Sequence, residues 1–281
     1  PCAQLEVTME VMRGSYVLVD QELVEKNQVS YVLSPVNVYE VIRIIQGVPL
    51  FLEEHLERMS ASLTLLGFTL TTPVEVLKEN LSRLIAKNAF QEGNIKILLN
   101  HQEQLTTYAF FIPHRYPEAS YYEEGIVTKT LPLERTNPNA KVIRTAYKEQ
   151  VSRFIHEEAI YEALLVNQEG QITEGSKSNV FFIQQETLWT PPLKDVLGGV
   201  TRKRILAIAK ELRIPVMEAP IFLATLKAMD AAFISGTSPK ILPIKSIDGW
   251  QKDSPHDPMV RQLMDAYDQK IASYIQEQLS S

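Results

Sequence analysis

The stretch EGQITEGSKSNVFFI, residues 169–183, sets the carboxylate of Glu174 against a small polar tract, Gly175, Ser176, Lys177, Ser178 and Asn179. The run from Asn179 to Ile183 has the pattern of a buried strand, so an acid stands at the mouth of a hydrophobic element. Three other segments suit an anion. GGVTR, residues 198–202, puts two glycines, Val200 and Thr201 directly before a helical pattern. Backbone N–H groups at a helix start, with the helix dipole behind them, form a phosphate site. SGTSP, residues 235–239, offers a second turn of amides and hydroxyls, and EEHLERM carries Arg58 on a helix with an acidic outer face. Each also has a plainer reading: a solvated hairpin glutamate, a glycine helix cap, and an i,i+4 pair between Arg58 and Glu54. Ser176 or Ser178 with Lys177 would make a serine–lysine hydrolase, but no oxyanion-hole motif stands in its expected context.

The elements that position these residues are legible from period and punctuation. SYVLVDQELVE is a hairpin around Asp20 and Gln21, and VYEVIRIIQGVPL is another, turning at Gln46 and Gly47. Leu52, Leu56, Met59, Leu63 and Leu66 then recur at helical spacing. A second helix starts at Thr72 and Pro73, and the strands NIKILLN and TTYAFFI follow. PHRYPEASYYEEG breaks the pattern and places a linker at 114–125, between a small domain at 1–113 and a larger one at 126–281. Beyond it come a helix with Val151, Phe154, Ile155 and Ala159 inward, the strand YEALLV, a turn at NQEG, the Glu174 stretch, TLWT, a helix after GGVT, a strand–turn–strand through SGTSP, and a helix over 257–278. The fold class is α/β (α+β), in two domains with a mixed sheet in each.

Bulk properties narrow the function. The chain has 281 residues, 28 basic and 34 acidic, for a formal charge of −6. This balance lacks the basic footprint of a nucleic-acid binder. The only cysteine is Cys2, which excludes an intramolecular disulfide and points to the cytoplasm. The N-terminal residues lack the charged lead and apolar block of a signal peptide, and no apolar run approaches a membrane span.

Taken in order, YEALLVNQEGQITEGSKSNVFFI, TPPLKDVLGGVTRKRI and FISGTSPKILPI resemble the class IV pyridoxal-phosphate aminotransferases, the family of branched-chain and D-amino-acid aminotransferases and of aminodeoxychorismate lyase. The resemblance runs from about Tyr39 to Ile244. It implies a small N-terminal and a larger C-terminal domain, pyridoxal 5′-phosphate between them, amino-acid and 2-oxo-acid substrates, and a homodimer. The family's TEG glutamate pairs with the pyridine nitrogen, which implies that role for Glu174. A nearby carboxylate favours a protonated ring, and such a ring accepts the electrons left when a Cα–H bond breaks. The family's Schiff-base lysine falls before the helix that leads into YEA, which implies Lys141. Its rivals are Lys148, inside that helix, and Lys177, at a position that is small and polar in relatives. Such a lysine acts as a neutral amine, so burial or nearby cations must lower its pKa from about 10.4. The resemblance further assigns the phosphate to Arg58, Val200, Thr201 and Thr237, packs Leu197 on the ring, and puts Ser178 and Asn179 beside the cofactor.

The N-terminal half departs from the family pattern. SPVNVYE replaces a GDG-type lead, and Asn100 and His101 stand where an arginine–glycine pair often supplies substrate-carboxylate recognition. The carboxylate is left to Thr237 and Ser238, or to Arg144 or Arg115, with Tyr39 as a pocket wall. Two alternatives follow: a lyase, which releases pyruvate without an acceptor, and a catalytically silent binding homologue.

Overall fold

Left-handed turns shape the start of the fold. The computed structural model describes residues 10–280, so the segment bearing Cys2 lies outside the described residues. Asp20, at φ 52°, turns β1 (Arg13–Val19) into β2 (Glu22–Glu25). Gln46 and Gly47, at φ 53° and 75°, turn β3 (Val36–Ile45) into β4 (Val48–Pro49). Helices α1 (Leu52–Leu65) and α2 (Val74–Asn88) follow, then β5 (Glu92–His101) and β6 (Leu105–Ile112). Pro73, not Thr72, is the N-cap of α2.

The chain divides into two units. Unit 1 runs through Arg115 and adds Ala140–Ile143 and the chain from Tyr274 onward; unit 2 comprises Tyr116–Asn139 and Arg144–Ser273. Lys141 therefore belongs with unit 1, although it lies within the sequence span 126–281.

The six strands of unit 1 run β2-β1-β6-β5-β3-β4. Every pairing is antiparallel, so the expected mixed sheet is not found here. β1/β2, β3/β4 and β5/β6 are joined as hairpins, the segment 26–35 carries the chain from β2 across to β3, and the α1–α2 pair links β4 to β5. Leu56, Met59 and Leu63 of α1 and Leu77, Leu81 and Leu84 of α2 share one buried core with Leu18 of β1 and Val38, Ile42 and Ile44 of β3, α1 lying against β3 and α2 against β1. Truncating Leu56 to alanine there would cost about 2–5 kcal/mol.

Unit 2 opens with α3 (Ala119–Glu124), a short helix inside the segment expected to be a linker. Next come β7 (Ile126–Pro132), α4 (Thr145–Glu157), β8 (Glu162–Val166), β9 (Gln171–Gly175), β10 (Asn179–Gln184) and β11 (Thr187–Thr190). Then follow α5 (Val200–Glu211), β12 (Val216–Glu218), β13 (Ile221–Phe222), β14 (Ala231–Gly236), β15 (Lys240–Ile247), β16 (Trp250–Gln251) and α6 (Pro258–Ser280). The sheet order is β12-β11-β10-β14-β15-β7-β8-β9-β13, with β16 on β15. It is mixed: β11/β12, β15/β7 and β7/β8 are parallel. Ala159 does not face inward; it lies past the end of α4, exposed, at φ 51°. Among the described residues, no helix is long and apolar enough to cross a membrane.

Candidate active site

Strand period decides which side chains of β3 face α1. Val38, Glu40, Ile42 and Ile44 alternate into the buried layer, and Tyr39 points to the other face. Glu40 is fully buried. Across from it, His55 and Arg58 stand at i,i+3 on α1, hence on one helix face. Arg58 grips the carboxylate with two nitrogens, Nε to Oε1 at 2.7 Å and Nη2 to Oε2 at 2.5 Å, and the His55 Nδ1 lies 2.8 Å from Oε2. Arg58 thus pairs with the buried Glu40 of β3. Burial alone would raise the Glu40 pKa, but Arg58 and His55 hold it at about 2, below its ordinary 4.5. Burial also holds the His55 imidazole below its ordinary value; Glu40 opposes that shift, and the charges of Arg58 and Lys141 add to it.

Lys141 is fixed through its backbone. Its N–H donates to Ser62 Oγ at 3.2 Å, and its carbonyl accepts from the Tyr39 N–H at 3.0 Å. The Ile143 N–H donates to Asn37 Oδ1 at 2.7 Å. This tether lays the segment along the start of β3 and places Lys141 Nζ 4.8 Å from the Tyr39 ring centroid. A second ammonium, Lys96 Nζ, lies 5.0 Å from the same ring; Lys96 is 2% exposed and pairs with Glu10.

In unit 2, Glu174 is the penultimate residue of β9 and is 2% exposed. Arg135 Nη1 lies 3.0 Å from its Oε1, and the Leu197 N–H donates to its Oε2 at 3.2 Å. The turn that follows is wrapped on a second buried acid, Glu162. That carboxylate accepts from the Ser176 N–H at 3.1 Å, from the Ser176 hydroxyl, and from Ser178 Oγ at 3.0 Å. Asn179 Nδ2 donates to the Leu197 carbonyl at 2.8 Å, which ties β10 to the segment before α5. These bonds tie Ser178 and Asn179 into the turn that follows Glu174.

Gly199 is the N-cap of α5, and no side chain caps that helix. A Cβ on Gly199 would come within 2.1 Å of Asn179 Oδ1, so any other residue at this helix start requires Asn179 to shift. Val200 and Thr201 are buried in its first turn, where backbone N–H groups suit a phosphate. Thr237 and Ser238 lie half-buried in the turn after β14. Arg144 donates to the Thr136 carbonyl; burial and the neighbouring Arg135 charge lower its pKa.

The rival lysines Lys148 and Lys177 are exposed, as is Arg115. Asn100 is structural: its Oδ1 accepts from the Ser34 N–H at 2.8 Å and its Nδ2 donates to the Val32 carbonyl at 2.9 Å. His101 packs on Phe68, with ring centroids 4.5 Å apart. Sequence reasoning missed Glu40, His55, Arg135 and Glu162. Glu40 carried a signal, as an acid in the inward register of an apolar strand, and so did the i,i+3 pair of His55 and Arg58. Arg135, in an irregular loop, carried none. Among the described residues, no group of three His, Cys, Asp or Glu side chains could hold a metal ion.

The family model "Amino-transferase class IV" matches residues 37–247. A D-alanine aminotransferase of Listeria innocua is 29% identical, over 91% of this chain and 96% of its own. Among solved structures, a branched-chain aminotransferase of Thermoproteus uzoniensis superposes with a TM-score of 0.83 at 26% identity, covering 93% of this chain and 96% of that one. The branched-chain amino acid aminotransferase of Escherichia coli gives 0.82 at 25% identity, over 92% and 95%.

Proposed function

This chain belongs to the class IV aminotransferase family and moves an amino group between an amino acid and a 2-oxo acid with pyridoxal 5′-phosphate, and we propose that Lys141 and Glu174 carry that chemistry. When bound, the cofactor supplies a carbonyl that takes up the amino group and a ring that accepts the electron pair left at Cα. The residues present fit such a group. A buried carboxylate already facing a guanidinium suits a cationic ring nitrogen, and a glycine-capped helix start suits a phosphate.

Lys141 is the anchoring amine and the base that takes the Cα proton at Nζ and returns it. Lys141 lies near enough to the buried His55 for its charge to act on that imidazole, and its backbone is pinned by Ser62 and Tyr39. Glu174 accepts a hydrogen bond from the protonated ring nitrogen. Arg58, the Val200 and Thr201 amides and Thr237 would hold the phosphate, and Leu197 would pack against the ring. Glu40 keeps the Arg58 guanidinium in one orientation through its two-nitrogen grip. Tyr39, Ser238 and Arg144 contribute to the substrate pocket.

The observation that carries this reading is the buried Glu174 carboxylate, held by Arg135 and the Leu197 amide within the stretch matched to the family. The test is a panel of amino donors, D-alanine and L-branched-chain amino acids included, with and without a 2-oxo acid. An aminotransferase needs the acceptor for continued turnover; steady pyruvate release without one would identify a lyase. We further assign the protein to the cytoplasm as a homodimer, the latter to be tested by light scattering in solution.

A further inference from the structure

We infer that Arg135 is a positioning residue that keeps the shared proton on the cofactor's ring nitrogen rather than on Glu174; this rests on the reading of Glu174 given above. The guanidinium lies 3.0 Å from Glu174 Oε1, and the two side chains are 13% and 3% exposed. The Leu197 N–H holds the other oxygen at 3.2 Å. Two donors therefore meet one buried carboxylate, and both favour its charged form. A proton placed between this carboxylate and a basic ring nitrogen is driven toward the ring, because protonating the carboxylate would leave the guanidinium without its counter-charge.

Arg135 is itself held in place. Its Nη2 donates to the Pro138 carbonyl at 3.2 Å. One residue on, Asn139 Nδ2 donates to the carbonyls of Leu193 and Val196 at 2.8 and 2.9 Å. Leu197, next to Val196, supplies the amide on Glu174. The loop 135–139, the segment 193–197 and the end of β9 thus form one hydrogen-bonded frame around the Glu174 carboxylate. A frame of this kind orients the acid and also sets its basicity. An isolated surface ion pair would do neither, because solvent would screen it.

The test uses protein loaded with pyridoxal phosphate labelled with nitrogen-15 in the ring, read by NMR, with three variants: Arg135→Met, Arg135→Lys and Glu174→Gln. Wild type shows the shift of a protonated ring nitrogen. Arg135→Met moves it toward the unprotonated value and lowers kcat by about tenfold or more, with a smaller change in KM, since loss of one adjacent charge alters a proton equilibrium by at least that factor. Arg135→Lys restores part of both. Affinity of the cofactor-free protein for pyridoxal phosphate and its melting temperature are measured in parallel. If Arg135→Met lowers only melting temperature and affinity, leaving the nitrogen shift and kcat at wild-type values while Glu174→Gln changes both, Arg135 is merely structural and the inference falls. If Glu174→Gln also leaves the nitrogen shift unchanged, the role of Glu174 itself is overturned.

Discussion

Lys141 Nζ stands 4.8 Å from the centroid of the Tyr39 ring, and the Tyr39 N–H donates to the Lys141 carbonyl at 3.0 Å. One residue of β3 thus holds the lysine by its backbone and faces its amine with an aromatic surface. Tyr39→Phe keeps that surface, so kcat/KM should stay near wild type. Tyr39→Leu removes that surface and should lower it about fivefold, because the amine loses the wall that positions it. Steady-state kinetics of the two variants decides the matter, and equal losses would show that the hydroxyl, not the ring, is what counts.

The Glu40 network predicts a stability–pH relation. The folded pKa of about 2 lies below the ordinary 4.5. Its stabilisation is therefore complete above pH 4.5 and is lost as pH falls through about 2. The amount is roughly 3 kcal/mol. Chemical denaturation between pH 7 and pH 3 should show this slope in wild type and a shallower one in Glu40→Gln. At pH 7 the variant should be less stable by about 3–5 kcal/mol, because it leaves Arg58 partly buried without its counter-charge.

Glu174→Gln removes the negative charge while keeping the shape. The protein should still bind pyridoxal phosphate, with kcat about 100-fold lower, the size expected when proton abstraction loses its electron sink. Absorbance titration with the cofactor and single-turnover kinetics measure the two effects separately. Unchanged single-turnover rates would remove the assigned role.

Gly199→Ala tests the phosphate site. Its new Cβ would meet Asn179 Oδ1 at 2.1 Å, so Asn179 must move, and with it the bond to the Leu197 carbonyl. Overpacking of this kind costs about 1–3 kcal/mol. The dissociation constant for pyridoxal phosphate should rise about tenfold, the lower part of that range. A fluorescence titration with an unchanged constant would detach this helix start from cofactor binding.

Much of this was legible in the sequence where a side chain's role follows from local pattern. The turns at Asp20 and at Gln46–Gly47, the leucine stripe of α1 and the strand after Glu174 all obey period and turn chemistry. The small helix 119–124 was hidden by the prolines and glycine around it, and the short β12, β13 and β16 leave too few residues for a period to register. The partners of Glu174 and Arg58 were hidden for a different reason. Arg135 and Glu40 reach them across long sequence separations, which only the tertiary fold closes. The resemblance to a family supplied roles for Lys141 and Glu174, but not the acids and bases that hold their surroundings in place.

The most direct test of the central claim is to trap the anchoring lysine. Protein saturated with pyridoxal phosphate is reduced with borohydride, digested and mapped by mass spectrometry. The account predicts a pyridoxyl group on Lys141 and none in Lys141→Ala; the same group on Lys177 or Lys148, or its persistence in that variant, would contradict it.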